Sequence, residues 1–239
     1  MKLAVIPARY ASTRLPGKPL QDLDGLPLII RVYKAVEKTK LFDKIVIATD
    51  DKRIIETAEK YQAVAEMTSL DHKSGTDRVA EIAQKYPSEI VVNIQGDEPF
   101  ISYQPLADLL ESFIDKKVQV ASLMHRGVNK ENDPNSVKVV CDKDNFSLYF
   151  SRCEIPYNRS DEEVESFIHI GVYAFRSEAL QNFVQLPQSR LEKIEKLEQL
   201  RLLENGIKLK MIETDYNGFG IDTPEDLAKA RRLMKNDHK

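Results

Sequence analysis

The chain has 239 residues, 42% hydrophobic and 31% charged, with a formal net charge of −3 at pH 7. That balance belongs to a folded protein with room for one large domain, or one domain and a smaller lobe, and it excludes a disordered chain. The net charge gives the molecule no general attraction to nucleic acid or an anionic membrane, and no apolar run approaches the roughly 18 residues that cross a bilayer. Pro7 and Arg9 interrupt the first apolar run too early for a signal-peptide core, so a cytoplasmic protein with Cys141 and Cys153 both reduced is expected.

Apolar runs then alternate with amphipathic segments. Lys2 to Ala8 reads as a buried strand, and Pro27 to Lys38 as a helix with Ile29, Ile30, Val32, Tyr33 and Val36 toward the core. Lys44 to Thr49 is a second buried strand, followed by a charged helix from about Asp51 to Tyr61. A short strand at Val64 to Thr68, a helix at Thr76 to Tyr86 and a continuous apolar strand at Glu89 to Ile94 come next. Strand and helix alternating at this spacing imply βαβ units on a parallel sheet covered on both faces. After about residue 117 the pattern changes: Val118 to Leu123, Val137 to Cys141, Phe146 to Ser151 and His169 to Phe175 read as strands of an antiparallel or mixed extension. Glu195 to Leu203 reads as helix and Leu209 to Glu213 as strand. Pro224 to Lys235 closes the chain as a helix capped by Asp222 or Thr223, ahead of a frayed tail at 236–239.

Four segments carry candidate chemistry. Residues 1–20 hold four cations (Lys2, Arg9, Arg14, Lys18) and no carboxylate, and Pro16, Gly17 and Pro19 make the segment after the first strand a loop. A loop leaving the carboxyl end of a parallel strand is where open α/β sheets bind ligands. Two arginine forks and a lysine there suit an anion of several charges such as a triphosphate; the plainer alternative is a solvated basic loop. Gln95-Gly96-Asp97-Glu98-Pro99 follows an apolar strand at the same edge. If Asp97 meets Asp222 of Gly220-Ile221-Asp222-Thr223-Pro224, the two carboxylates offer hard ligands for Mg²⁺, although Asp222 also reads as a plain helix start. Asp71 to Arg78 contains a small turn opening a helix, suited to close ligand approach or simply to a cap at Ser74 or Thr76.

Several familiar motifs are missing. Lys18 is followed by Pro19 rather than Ser or Thr, so this is no P-loop, and Gly218 and Gly220 lack the third glycine and the early position of a dinucleotide fingerprint. The cysteines and the histidines at 72, 125, 169 and 238 show no zinc-ligand spacing.

Taken together, these segments resemble the 3-deoxy-manno-octulosonate cytidylyltransferase family. The match runs over nearly the whole chain: IPARYASTRLPGKPL at 6–20, ATDD at 48–51, DHKSGTDR at 71–78, VNIQGDEP at 92–99, PNSVKVV at 134–140, LYFSRCEIP at 148–156, HIGVYAFR at 169–176, LEQLRLLENG at 197–206 and IDTPEDL at 221–227. The resemblance implies a Rossmann-like nucleotide-diphospho-sugar transferase fold, a mostly parallel central sheet with an antiparallel dimerisation extension. It implies one cytidylyltransferase domain over 1–239: a nucleotide-binding half to about 117, a sugar-binding and dimerisation part over about 118–206, and a closing strand and helix over 207–239. The implied reaction joins the anomeric hydroxyl of an eight-carbon sugar acid to the α-phosphate of CTP in a homodimer, for lipopolysaccharide core synthesis. By the same analogy Arg9, Arg14 and Lys18 hold the triphosphate, with Ala8 and Ser12 close to it, and Ser74, Gly75 and Arg78 shape the cytidine pocket. Asp97 and Asp222 bind Mg²⁺, and Gln95, Arg152, His169, Tyr173, Glu198 and Gln199 line the sugar-acid pocket.

Three departures from the family pattern touch the sugar side. Ile168 stands where many members have a basic residue, the stretch from Arg159 to His169 is shorter, and Cys153-Glu154 replaces small or neutral residues. An 8-amino analogue of the sugar, which Glu154 would suit, and a sialic acid are therefore the alternative acceptors. A silent nucleotide-binding protein is disfavoured by retention of all five charged residues, and an oxidoreductase by the missing glycine fingerprint.

Overall fold

The computed structural model describes residues 1–12, 14–127, 133–159 and 166–237. The chain divides into two compact units: Met1–Tyr103 with Gly218–Lys239, and Gln104–Asn217.

The first unit opens with strand β1 (Lys2–Ala8), a short hairpin of β2 (Asp22–Leu23) and β3 (Leu26–Pro27), and helix α1 (Leu28–Thr39). It continues through β4 (Lys44–Thr49), α2 (Lys52–Lys60), β5 (Ala65–Met67), α3 (Gly75–Lys85) and β6 (Ile90–Asn93). β1 pairs in parallel with β4 and β6, and β4 with β5, giving the order β6-β1-β4-β5. Leu3, Ala4, Val5, Ile6, Val46, Ile47, Val91 and Val92 are fully buried, the uninterrupted apolar runs that a parallel sheet covered on both faces requires. α1 buries Ile29, Ile30, Val32, Tyr33 and Val36, the face its spacing predicts. Helix starts follow local capping: Asp51 accepts from Arg53 N at 2.9 Å ahead of α2, and Ser74 and Asp77 form a capping box ahead of α3.

The second unit takes in α4 (Tyr103–Glu111) from its second residue, β7 (Val120–Gly127), β8 (Lys138–Cys141), β9 (Ser147–Ser151) and β10 (Ser166–Arg176). α5 (Ser177–Gln185), α6 (Arg190–Glu195), α7 (Leu200–Glu204) and β11 (Leu209–Glu213) complete it. β10 pairs antiparallel with β7 and β8, and β8 with β9, while β11 lies parallel to β7, so the mixed extension expected after residue 117 is present. β6 is the last strand of the first unit in chain order before that unit breaks off at Tyr103, ahead of residue 117. Because β11 pairs with β7, the chain rejoins the first unit at Gly218, later than residue 207.

Two details differ from expectation. The helix expected over Glu195 to Leu203 is broken: Lys196 adopts φ 55°, ending α6, and α7 begins only at Leu200. A capping box of Ser189 and Glu192 starts α6 as a separate helix. α4, α5 and the first turn of α6 carried too short an apolar stripe to be read from periodicity; α4 also carries Pro105 in its first turn, a position where a missing N–H costs nothing.

The chain returns to the first unit with α8 (Pro224–Asp237), which extends two residues past Lys235; the rest of the expected frayed tail, 238–239, lies outside the described residues. Among the described residues no helix is long and apolar enough to cross a membrane, and Cys141 and Cys153 are both free thiols.

Candidate active site

β1, β4 and β6 run in parallel, so the loops that follow Ala8, Thr49 and Asn93 leave one edge of the first unit's sheet. There the loops after Ala8 and Asn93, with the start of α3 and the segment before α8, enclose a cavity of about 420 Å³. Its wall brings together every residue assigned above to the nucleotide or the metal: Ala8, Arg9, Ser12, Arg14 and Lys18 from the first loop, Ser74, Gly75 and Arg78 at the start of α3, Asp97 after β6, and Asp222 before α8; Gln95, assigned above to the sugar acid, lines it too. Lys73 also lines it, a cation the sequence reading passed over. Five cations therefore face two carboxylates, a surplus of positive charge suited to a polyanion.

The first loop is shaped by its turn residues. Gly17 adopts φ 63°, in the left-handed region, and leads into a single 3₁₀ turn at Lys18–Leu20. Buried Leu15 anchors the loop, and Lys18 N donates to Leu15 O at 3.1 Å, which fixes the direction of the lysine stem. Lys18 Nζ donates to Asp97 and, at 2.8 Å, to Asp222. Burial alone would pull the ammonium down, but the two carboxylates outweigh it and hold Lys18 above the ordinary lysine value. Arg14 reaches the other oxygen of Asp222 at 3.0 Å.

The two readings of Asp222 are separated by its neighbours. Thr223 Oγ1 accepts from Asp226 N at 3.1 Å, and Asp226 Oδ2 accepts from Thr223 N at 2.9 Å, so Thr223 and Asp226 form the capping box of α8. The Asp222 carboxylate takes no part in capping and is directed to Lys18 and Arg14 instead. Asp97 is held by a backbone bond, Ile221 N to Asp97 O at 3.0 Å, which ties the two acid-bearing loops together. Between them Gly96 leaves no room for a side chain: a Cβ there would lie 2.9 Å from the Pro7 carbonyl oxygen and 3.2 Å from Ile29 Cδ1.

Asp97 and Asp222 converge on one point, marked by the Lys18 ammonium. Two carboxylates beside a cavity lined with cations fit Mg²⁺, which commonly takes one or two carboxylates and completes its shell with phosphate oxygens and water. No cluster of three or more His, Cys, Asp or Glu side chains suited to a metal occurs among the described residues.

The cavity is also lined by Lys73, Ser74, Gly75 and Arg78 at the start of α3, where the N-terminal end of a helix favours an anion. Ser74 caps α3 and also lines the cavity. Arg78 is almost wholly buried and bonds Asp50, Thr68 Oγ1 at 2.6 Å and the Ser69 carbonyl at 3.2 Å. Its guanidinium thereby joins the loop after β4 to the loop after β5. Arg9 donates to the His72 carbonyl at 2.6 Å, drawing the basic loop toward the same turn.

The sugar-side residues lie in the second unit, apart from Gln95. Arg152 spends its donors on backbone carbonyls, Glu195 and Pro134 at 2.7 Å and Lys196 at 3.3 Å. Gln199 is buried, and Glu198 sits 3.6 Å from Arg201, which forms a two-pronged bond with buried Glu192. His169 packs edge-on against Phe150 and beside Tyr173, each ring centroid 5.2 Å away. Burial, and then the Glu198 charge, push the Tyr173 phenol above its ordinary value, so it remains a donor. Glu154 is exposed, and the shortened stretch between Arg159 and His169 falls largely on 160–165, outside the described residues.

Burial pulls His169 down to about 3, so the ring is neutral near pH 7. Between roughly pH 3 and 6.5 the unfolded chain then binds a proton that the folded one refuses, and stability falls as the pH drops through 6.5. Replacing His169 by Gln should flatten the dependence of unfolding free energy on pH between 6.5 and 4, by up to about 1.4 kcal/mol per pH unit. Denaturant titrations at several pH values measure this, and equal slopes in the two proteins would show that the ring titrates freely when folded.

The cytidylyltransferase family model matches residues 3–211. The chain is 50% identical to the 3-deoxy-manno-octulosonate cytidylyltransferase of Flavobacterium johnsoniae, with 98% of each chain covered. It is 46% identical to the enzyme of the same name from Thermodesulfovibrio yellowstonii, over 97% of each. Among solved structures it superposes on a CMP:2-keto-3-deoxy-manno-octonic acid synthetase complexed with CTP, with a TM-score of 0.95, 42% identity and 99% of each chain covered.

Proposed function

This chain belongs to the 3-deoxy-manno-octulosonate cytidylyltransferase family, and we propose that it activates 3-deoxy-manno-octulosonate with CTP for lipopolysaccharide core synthesis. The anomeric 2-hydroxyl oxygen bonds to the α-phosphorus of CTP, the bond from that phosphorus to the bridging oxygen breaks, and pyrophosphate leaves. The observation that carries the reading is the cavity in which Arg9, Arg14 and Lys18 converge beside Asp97 and Asp222.

The residues divide the work by chemistry. Arg9, Arg14, Lys18 and Lys73 offset the roughly four negative charges of a triphosphate, which would otherwise repel a sugar carboxylate. Ser74, Gly75 and the first turn of α3 receive the nucleoside end, with Arg78 bracing the wall. Asp97 and Asp222 hold Mg²⁺, which when bound neutralises phosphate charge. Holding both reactants in line accounts for much of the acceleration without a covalent enzyme intermediate. Arg152, His169, Tyr173, Glu198 and Gln199, with Gln95, orient the sugar acid. The working form is a homodimer in the cytoplasm, joined through the second unit.

Pyrophosphate release, measured with CTP against a panel of sugar acids, tests the reaction. Release is expected with the octulosonate and Mg²⁺, and is expected to cease with EDTA. Release with a sialic acid but not the octulosonate would overturn the substrate, preference for the 8-amino analogue would move the acceptor to that sugar, and full activity in EDTA would remove the metal.

A further inference from the structure

Ser122 lies in β7, fully buried, opposite an irregular stretch of β10. The two strands pair Leu123 with Ile170 and Ser122 with Tyr173, so Gly171 and Val172 are extra residues on the β10 side. Such a bulge leaves backbone carbonyls without ladder partners. Ser122 Oγ answers that need: it lies 2.8 Å from the Val172 carbonyl oxygen and 3.2 Å from that of Ile170. The same oxygen is 2.9 Å from His169 Nε2.

Counting protons decides the arrangement. A serine hydroxyl has one hydrogen and two acceptor lone pairs, and a carbonyl oxygen only accepts. The single Ser122 hydrogen goes to the bulge, toward Val172 as the nearer oxygen, because leaving that carbonyl without a donor would cost about 1–3 kcal/mol. Ser122 therefore has nothing left to donate to the imidazole. The short contact at His169 Nε2 is a bond only if the ring carries its proton there and the serine oxygen accepts it.

We propose that Ser122 is a positioning residue that holds His169 in the Nε2–H form, leaving Nδ1 as a bare hydrogen-bond acceptor for a hydroxyl of the sugar acid. The rings of Phe150 and Tyr173 pack against the imidazole, each centroid 5.2 Å away, and such neighbours favour its neutral form. In this form His169 does not bind the sugar carboxylate as a cation; it reads a donor, and it selects for a substrate with a hydroxyl at that place. The tautomer stands on the bulge alone, whereas the hydroxyl contact rests on the assignment of His169 to the sugar-acid site.

Two measurements keep these apart. In protein labelled with ¹⁵N-histidine, two-bond ¹H–¹⁵N correlations, with the His169 signal identified by its loss in His169→Gln, should show a protonated Nε2 and an unprotonated Nδ1 near pH 7. The reverse pattern, or a mixture of tautomers, overturns the proposal. Ser122→Ala should give that mixture, with KM for the sugar acid rising about tenfold while KM for CTP stays within twofold; Ser122→Thr, which keeps the hydroxyl, should restore most of the difference. If wild type shows the Nε2–H form but KM for the sugar acid does not move in Ser122→Ala, the hydroxyl contact is overturned and His169 leaves the sugar-acid site, with its tautomer intact. Equal rises in both KM values would overturn the positioning role.

Discussion

Asp97→Asn should lower turnover at least about a hundredfold at saturating CTP and Mg²⁺, the scale of removing one preorganised electrostatic group. Asparagine keeps the size of the side chain and the backbone bond from Ile221, so the turn after β6 stays in place and only the charge is lost. Two consequences follow from that loss. Mg²⁺ would keep one protein carboxylate, Asp222, and its half-saturating concentration should rise in step with the fall in turnover. Lys18 would lose the first of the two partners that raise its pKa, leaving its ammonium held by Asp222 alone. The second consequence supplies the discriminating result. If Asp97 served only to neutralise Lys18 in the absence of nucleotide, removing it would free the lysine for phosphate, and KM for CTP would fall with turnover unchanged. Kinetics of wild type and variant across a Mg²⁺ titration separate the two cases, and full turnover in the variant would take Asp97 out of the metal site.

The parts of this site that were legible in the sequence are those whose chemistry is local. A buried strand followed by Pro16, Gly17 and Pro19 must release the chain into a loop at the sheet edge, and the absence of any carboxylate among the first twenty residues made that loop basic. The cap of α3 was readable for the same reason, since a Ser-Gly-Thr-Asp segment caps a helix whatever lies around it. Asp222 was not decidable, because Asp222-Thr223-Pro224-Glu225-Asp226 contains two residues able to cap, and only the geometry shows Thr223 and Asp226 pairing with each other. Lys73 was lost among ordinary surface lysines until the cavity wall was traced. Ser122 carried no signal at all, because its importance arises from a bulge in β10, 48 residues or more along the chain. The break at Lys196 was equally silent: a left-handed helix end is usually announced by Gly or Asn, and lysine adopts it here beside the carbonyls that Arg152 gathers.

Arg201→Met should destabilise the second unit by about 3–5 kcal/mol, the usual cost of leaving one partner of a buried ion pair uncompensated. The geometry justifies the upper part of that range. Arg201 and Glu192 meet through two parallel bonds of 2.8 and 2.6 Å with both side chains almost wholly buried, and the guanidinium lies over the Phe183 ring, 4.8 Å from its centroid. Glu192 also closes the capping box of α6, so its carboxylate cannot swing out to water without unwinding that helix start. The double replacement Glu192→Leu with Arg201→Met should recover most of the loss, because packed apolar groups replace a buried pair at little cost; about 1 kcal/mol should persist from the missing cap. Denaturant unfolding of the two variants and wild type measures this cycle, and a loss below about 1 kcal/mol in Arg201→Met would mean that water reaches the pair. With Glu198 and Gln199 proposed to orient the sugar acid, the pair also bears on substrate binding, since Arg201 lies one turn beyond Glu198 and 3.6 Å from it. The double variant, refolded to near wild-type stability but without the guanidinium, should therefore show a raised KM for the sugar acid and an unchanged KM for CTP, whose cations and carboxylates all lie in the first unit.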